Sequence, residues 1–283
     1  MTIGIGVLAT TETGRVNMRV PDTVILMADT MGSYEDSDSH ARLHKAFLFP
    51  ESEMFAVASG RVDRAGEVMS SVDKFLKRIP KGQRSFGAVM RTILEVCFGY
   101  KREKFIAHEF PKLRLPPRLF DPSRKIPPNL DARIQKRWNK YPLGCDLIIG
   151  ALCNQGAILI QVWGASLDVE NVTTPGIATI GIGSEAAAFW LSRRQQTFGN
   201  CPLRSAYHAY EAKIMAESSA HVNEHLDIIV ATDKKFWFST SHPSAHPYPK
   251  HPEINLENLK EMWKRYGPQD TSGLEASTHS LVT

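Results

Sequence analysis

Apolar runs of membrane-spanning length are missing from this sequence. None approaches the roughly 18 consecutive apolar residues of a transmembrane helix. The apolar stretch after Met1 is short and has no basic flank, unlike a secretory signal. Cysteine is scarce. Cys97, Cys145, Cys153 and Cys201 stand far apart with no C-x-x-C pair, so the spacing spells neither a disulfide framework nor a thiolate metal site. Reduced thiols in a cytoplasmic protein are the expectation. Excess charge is lacking as well: 34 Lys and Arg against 30 Asp and Glu leave +4 over 283 residues, too little to demand a nucleic-acid partner. His221 and His225, or His40 and His44, stand four apart as two metal ligands could, yet no Cys or carboxylate at ligand spacing completes either set. The glycine-rich "GIGS" lacks the lysine of a phosphate-binding loop. No metal and no cofactor are expected.

What the sequence does hold is enough apolar residue, 42%, for one large core, cut into short segments by turn chemistry. Ile3–Ala9 and residues 24–28 and 54–58 read as buried strands, with "TTETGRVNMRVPD" a long polar hairpin between the first two. Helical spacing follows from Val62 to Leu76 and again over residues 86–100. Strands resume with "CDLIIGALC", "AILIQVWG" and "IATIGIG". Helices over residues 184–194 and 203–219 come next, then strands "LDIIVAT" and "KFWFS". Elements segregated in this way predict an α+β layered sandwich over residues 2–240 and not alternating βαβ units. Residues 241–283 read as a C-terminal extension, Pro- and His-rich, with one short helix near Leu256–Tyr266 and a tail of disordered composition.

Residues 101–144 differ in kind. They hold twelve Lys or Arg, four Asp or Glu and seven Pro, a local charge of +8 against +4 for the whole chain. Proline at this density predicts neither long helices nor central strands. The stretch reads as a basic, Pro-rich surface insertion, a solvated loop, the rim of a cleft or a contact with a neighbouring subunit. Its aromatic residues, Phe105, Phe110, Phe120, Trp138 and Tyr141, do not form the series on which bases stack.

Chemistry is concentrated near the start. With Met1 removed, Thr2 would offer a hydroxyl and a free α-amine on one residue. A hydroxyl is a poor nucleophile until a base takes its proton, and an α-amine with a pKa of about 8 suits that task near neutral pH. A nearby lysine would hold the site positive, a carboxylate would orient the lysine, and the small Gly4 and Gly6 would let a substrate backbone approach. Asp29, closing "VILMAD", and Lys45, opening "KAFLF", supply these roles sixteen residues apart. The same two residues also suit a buried structural ion pair. "MFAVASGRVD" then runs from a strand through a small-residue turn into a helix, presenting backbone N–H groups suited to a developing oxyanion.

This pattern resembles the β-type subunits of the proteasome superfamily, which are N-terminal nucleophile (Ntn) hydrolases. In that family a Thr heads the first strand and an Asp closes the next in a V-x-x-A-x-D context. A Lys follows sixteen residues later, and an A-G-G-x-x-D turn leads into the first helix. Here stand Thr2, Asp29, Lys45 and "ASGRVD". "CDLIIGALCNQGAILIQVWG" is similar to the family's central hairpin, and "IGIGSEAAAFWL" to its turn into the third helix. The likeness covers about residues 2–100 and 145–240. It implies a four-layer αββα sandwich with Thr2 as nucleophile, Asp29 as the acid orienting Lys45, Lys45 as its pKa-lowering partner, and the Ser59 backbone N–H as oxyanion donor.

The sequence departs from the family in three places. The Thr2–Asp29 interval is about eleven residues longer than the family's. The family's turn serine falls at Ile182, with Ser184 two positions on. Its late D-x-x-S-G falls in "SSAHVNEHLD". Ser184, Ser219 and His221 are therefore the candidates for a rebuilt accessory network. The implied activity is that of a cytoplasmic threonine-type peptidase or amidohydrolase. It would cleave a peptide or protein through an acyl-enzyme and assemble as a homo-oligomer, by analogy a ring. Two alternatives stand beside it: a selective amidase or peptide ligase using the same nucleophile, and a catalytically inactive scaffold like the family's α-type subunits.

Overall fold

The computed structural model describes residues 3–11, 20–29, 31–34, 37–42, 45–116, 127–217, 225–241 and 248–267, with backbone alone at 31–34 and 37–42. Its strands are β1 (Ile3–Ala9), β2 (Thr23–Asp29), β3 (Met31–Tyr34), β4 (Ser37–Arg42), β5 (Ala46–Phe49), β6 (Met54–Gly60), β7 (Cys145–Cys153), β8 (Gly156–Trp163), β9 (Asp168–Asn171), β10 (Ile177–Gly181), β11 (Leu226–Thr232) and β12 (Phe236–Thr240). Its helices are α1 (Val62–Leu76), α2 (Phe86–Lys112), α3 (Pro128–Lys140), α4 (Ser184–Arg193), α5 (Pro202–Ala216) and α6 (Leu256–Tyr266). Two five-stranded antiparallel sheets carry the fold, the first in the order β10-β1-β2-β11-β12 and the second β5-β6-β7-β8-β9. β3 and β4 pair apart from both as a hairpin.

Every residue of β1 and β2 is buried. Both faces of the first sheet are covered, which is why these segments read as unbroken apolar runs and not as alternating ones. One face, with Leu8, Val24, Leu26, Ala28 and Ile229, packs on Phe55, Val57, Ile148 and Leu159 of the second sheet. The other, with Ile3, Ile5, Val7, Ile25 and Met27, packs on Ala187, Leu191, Tyr207 and Leu259 of α4, α5 and α6. The second sheet turns Ala58, Leu147 and Ile149 outward onto Val68, Val72 and Ile93 of α1 and α2. This is an α+β sandwich of two antiparallel sheets with helices on both outer faces. Among the described residues, no helix is long and apolar enough to cross a membrane.

Gly4 and Gly6 do not serve substrate approach, and that expectation is corrected. A Cβ on Gly4 would stand 2.9 Å from Ile180 Cγ1 and 3.2 Å from Val57 Cγ2, and one on Gly6 would stand 2.7 Å from Ile148 Cγ2. Both glycines face the second sheet and set how closely the sheets approach. Gly150 on β7 is the tightest of these contacts, since a Cβ there would lie 2.2 Å from Val24 Cγ1. Gly150→Ala is expected to cost about 1–3 kcal/mol through overpacking. In urea the midpoint should fall while the slope of the transition stays unchanged.

The expectation of no long helix in residues 101–144 is overturned. α2 runs unbroken to Lys112, with Pro111 confined to its last turn, and α3 begins at Pro128, where a missing N–H leaves no helical bond unmade. A count of prolines hides their placement, for residues 101–110 contain none. The two helices share a small core of Phe105, Phe110 and Ile134, edged by Trp138 and Tyr141. The Lys101 ammonium sits 4.7 Å above the Trp138 ring. In the C-terminal extension, α6 docks Leu256 and Leu259 into the core beside α5. Thr2, Ser219 and His221 lie outside the described residues, as do His40 and His44 as side chains, the hairpin at 12–19 and the tail at 268–283.

Candidate active site

Antiparallel pairing brings strand ends that are remote in sequence to one edge of the sandwich. β1 enters at Ile3, opposite Gly181 at the end of β10. β2 leaves at Asp29, opposite Leu226 at the start of β11. In the second sheet, Ala58 donates its N–H to the Lys45 carbonyl at 3.0 Å, which joins the entry of β5 to the exit of β6. Ser59, the next residue, is nearly buried within β6 opposite Asp146. The turn expected around it begins one residue later. Gly60 has φ +86°, a Cβ there would stand 2.8 Å from the Gly144 carbonyl oxygen, and α1 starts two residues on.

Asp29 and Lys45 meet. The Lys45 ammonium lies 3.0 Å from Asp29 Oδ1, and neither side chain is more than 2% exposed. The same Oδ1 accepts the Ile3 backbone N–H at 3.3 Å. Oδ2 is buried and has no hydrogen-bond partner among the described residues. Burial pushes the Asp29 carboxyl above the usual carboxylate range, against the pull of Lys45, its hydrogen bonds to Lys45 and Ile3, and the more distant Lys213. Burial likewise draws Lys45 below the usual lysine range, against the attraction of Asp29 and then of Asp227. The Lys45 ammonium thus holds its proton less tightly than an exposed lysine does, although Asp29 pairs with it.

Ser184 opens α4 three residues after the glycine that faces Ile3, partly exposed, and its hydroxyl makes no bond to Asp29 or Lys45. Of the four candidates that the structure describes, it therefore brings Asp29 and Lys45 into contact, sets Ser59 beside them through the backbone, and leaves Ser184 at the rim. No family model and no curated protein matches the sequence. Among the described residues, no three His, Cys, Asp or Glu side chains gather as a metal site.

One buried acid at this edge was not singled out from the sequence. Asp227, the second residue of β11, has no exposed surface. Its signal was available, since "LDIIVAT" is an otherwise apolar buried strand, and a charge inside such a run has a reason to be there. Chemically, the edge combines a fixed carboxylate, a desolvated lysine and a backbone amide one covalent bond from the carbonyl of Thr2. Such a set can orient the chain's first residues and bias a proton equilibrium beside them.

Proposed function

We propose that the chain is an N-terminal threonine hydrolase with the four-layer αββα Ntn fold, acting on amide bonds of a peptide or protein. After loss of Met1, the Thr2 hydroxyl attacks the amide carbonyl as its proton passes to the Thr2 α-amine. Lys45 lowers the proton affinity of the pair by its charge, and Asp29 holds Lys45. The oxyanion is met by a backbone N–H at the end of β6, that of Ser59. Collapse breaks the C–N bond, releases the amine with the proton, and leaves an ester on Thr2 that water hydrolyses.

One observation carries this reading. A single buried carboxylate oxygen of Asp29 accepts both the Lys45 ammonium and the Ile3 amide, the group to which Thr2 is covalently joined. The shared oxygen ties the position of the lysine to the backbone that carries Thr2. The reading also makes the protein a homo-oligomer, for which exposed Phe75, Leu94 and Phe98 on α1 and α2, and Phe189 on α4, give support.

The test combines intact mass with an electrophile that requires both the hydroxyl and the α-amine of an N-terminal Thr. Purified protein should lack Met1 and take one label per chain, and Thr2→Ala should take none. Retained Met1, or equal labelling of the two proteins, rejects the proposal and favours the inactive scaffold.

A further inference from the structure

Asp227 has no part in the reaction described above. Along β11, Ile229 and Ala231 face the second sheet, and the two-residue side-chain period turns Asp227 the same way. Across the ladder it faces Ala28, the residue before Asp29, which also points to the second sheet. In that sheet β5 lies against β11, and Lys45 is the residue immediately before β5. A carboxylate turned into an apolar layer between sheets is costly unless a cation meets it, and Lys45 carries a buried ammonium in from the opposite sheet to the neighbouring Asp29. We propose that Asp227 is a second positioning residue for Lys45, which is thereby held between a carboxylate from β2 and one from β11.

The electrostatics agree. Asp227 raises the proton affinity of Lys45, behind Asp29, against the larger lowering by burial. Among the described residues, the charged groups acting on Lys45 are Asp29 from β2 and Asp227 from β11. Lys213 of α5, itself paired with Glu217, acts on Asp29 from the helical side. Two carboxylates around one ammonium keep it charged to a higher pH than one could, while leaving it displaced from the ordinary lysine range.

The kinetic arm of the test rests on the Thr2 reading; the stability arm does not. Asp227→Asn removes the charge and keeps the shape. The Lys45 ammonium then releases its proton at lower pH, so the alkaline limb of the Thr2 labelling rate should move down by about one pH unit or more. Asp227→Glu, which keeps the charge, should restore the limb. In urea, Lys45→Met combined with Asp227→Asn should lose less stability than the sum of the two single losses. Superimposed limbs for wild type and Asp227→Asn, or additive stability losses, overturn the inference. Should wild-type protein take no label, the functional reading falls and the urea comparison alone decides. Should Asp227→Asn fail to fold, it is added instead to Asp29→Asn/Lys45→Met: with the ammonium gone, removing the Asp227 charge should raise the urea midpoint, and a fall in the midpoint rejects the pairing.

Discussion

Lys45→Met should lose about 3–5 kcal/mol of stability, because it strands a carboxylate that has no water to turn to. Asp29 is wholly buried, and one of its two oxygens already lacks a hydrogen-bond partner among the described residues. Removing the ammonium leaves a charge whose remaining solvation is one backbone N–H, from Ile3 at 3.3 Å. The informative comparison is the double variant Lys45→Met/Asp29→Asn. It takes away the charge stranded on Asp29, though not that on Asp227, and the Asn carbonyl oxygen can still accept from Ile3. A large part of the lost stability should return in urea melts, since replacing both partners of a buried pair is far milder than replacing one. Labelling at Thr2 should not return with it. A positioned proton-transfer group contributes about 10²–10⁴ in rate, and a loss of that order should persist in the refolded double variant. If rate and stability recover together, the pair is structural and the Thr2 mechanism is wrong.

Legibility in the sequence followed physical cause. Ile3–Ala9, Cys145–Cys153 and Leu226–Thr232 were readable to the residue because a strand covered on both faces is an apolar run cut off by polar turns. The Asp29–Lys45 contact was legible through the resemblance to proteasome β-type subunits, whose interval of sixteen here spans the exit of one sheet and the entry of the other. Polarity hid the rest. β3 and β4, "MGSY" and "SDSHAR", hold few apolar residues to mark them as strands, and β9, "DVEN", is largely exposed. α3 was hidden by the charge of "PNLDARIQKRWNK", since only Ile134 of its side chains is fully buried. Gly4 and Gly6 were misread for a different reason. A glycine in a strand marks close approach of something, and only the packing of Val57 and Ile148 shows that the something is the opposite sheet. Asp227 shows the converse, a residue whose chemistry was visible and whose neighbour was not.

Acid should destabilise the fold through His208 before most carboxylates titrate. His208 is buried on α5, with Nδ1 2.8 Å from Gln196 Oε1. That oxygen also accepts from Asn200, while the Gln196 amide donates to Ser205 and to the Thr197 carbonyl. With an acceptor facing it, Nδ1 carries a proton, so the neutral form of the ring is the Nδ1–H tautomer. Burial, with Arg204 and Arg194 nearby, pushes the His208 pKa down to about 3. The folded state therefore binds this proton less readily than the unfolded chain, whose histidine titrates near 6.5. Above pH 6.5 neither state is protonated and the full stability is present. As pH falls from 6.5 towards 3, the unfolded state alone takes the proton, and stability drops by about 1.4 kcal/mol per pH unit, on the order of 4–5 kcal/mol across the window. Between pH 7.5 and pH 5 the wild type should lose roughly 2 kcal/mol from this residue. His208→Gln keeps an N–H donor for Gln196 and has no proton to gain, so its urea-derived stability should lose roughly 2 kcal/mol less over the same interval. Parallel pH dependences in the two proteins would mean that His208 is solvated in the folded state. The Gln196 network joining α4 to α5 would then have to be open to water.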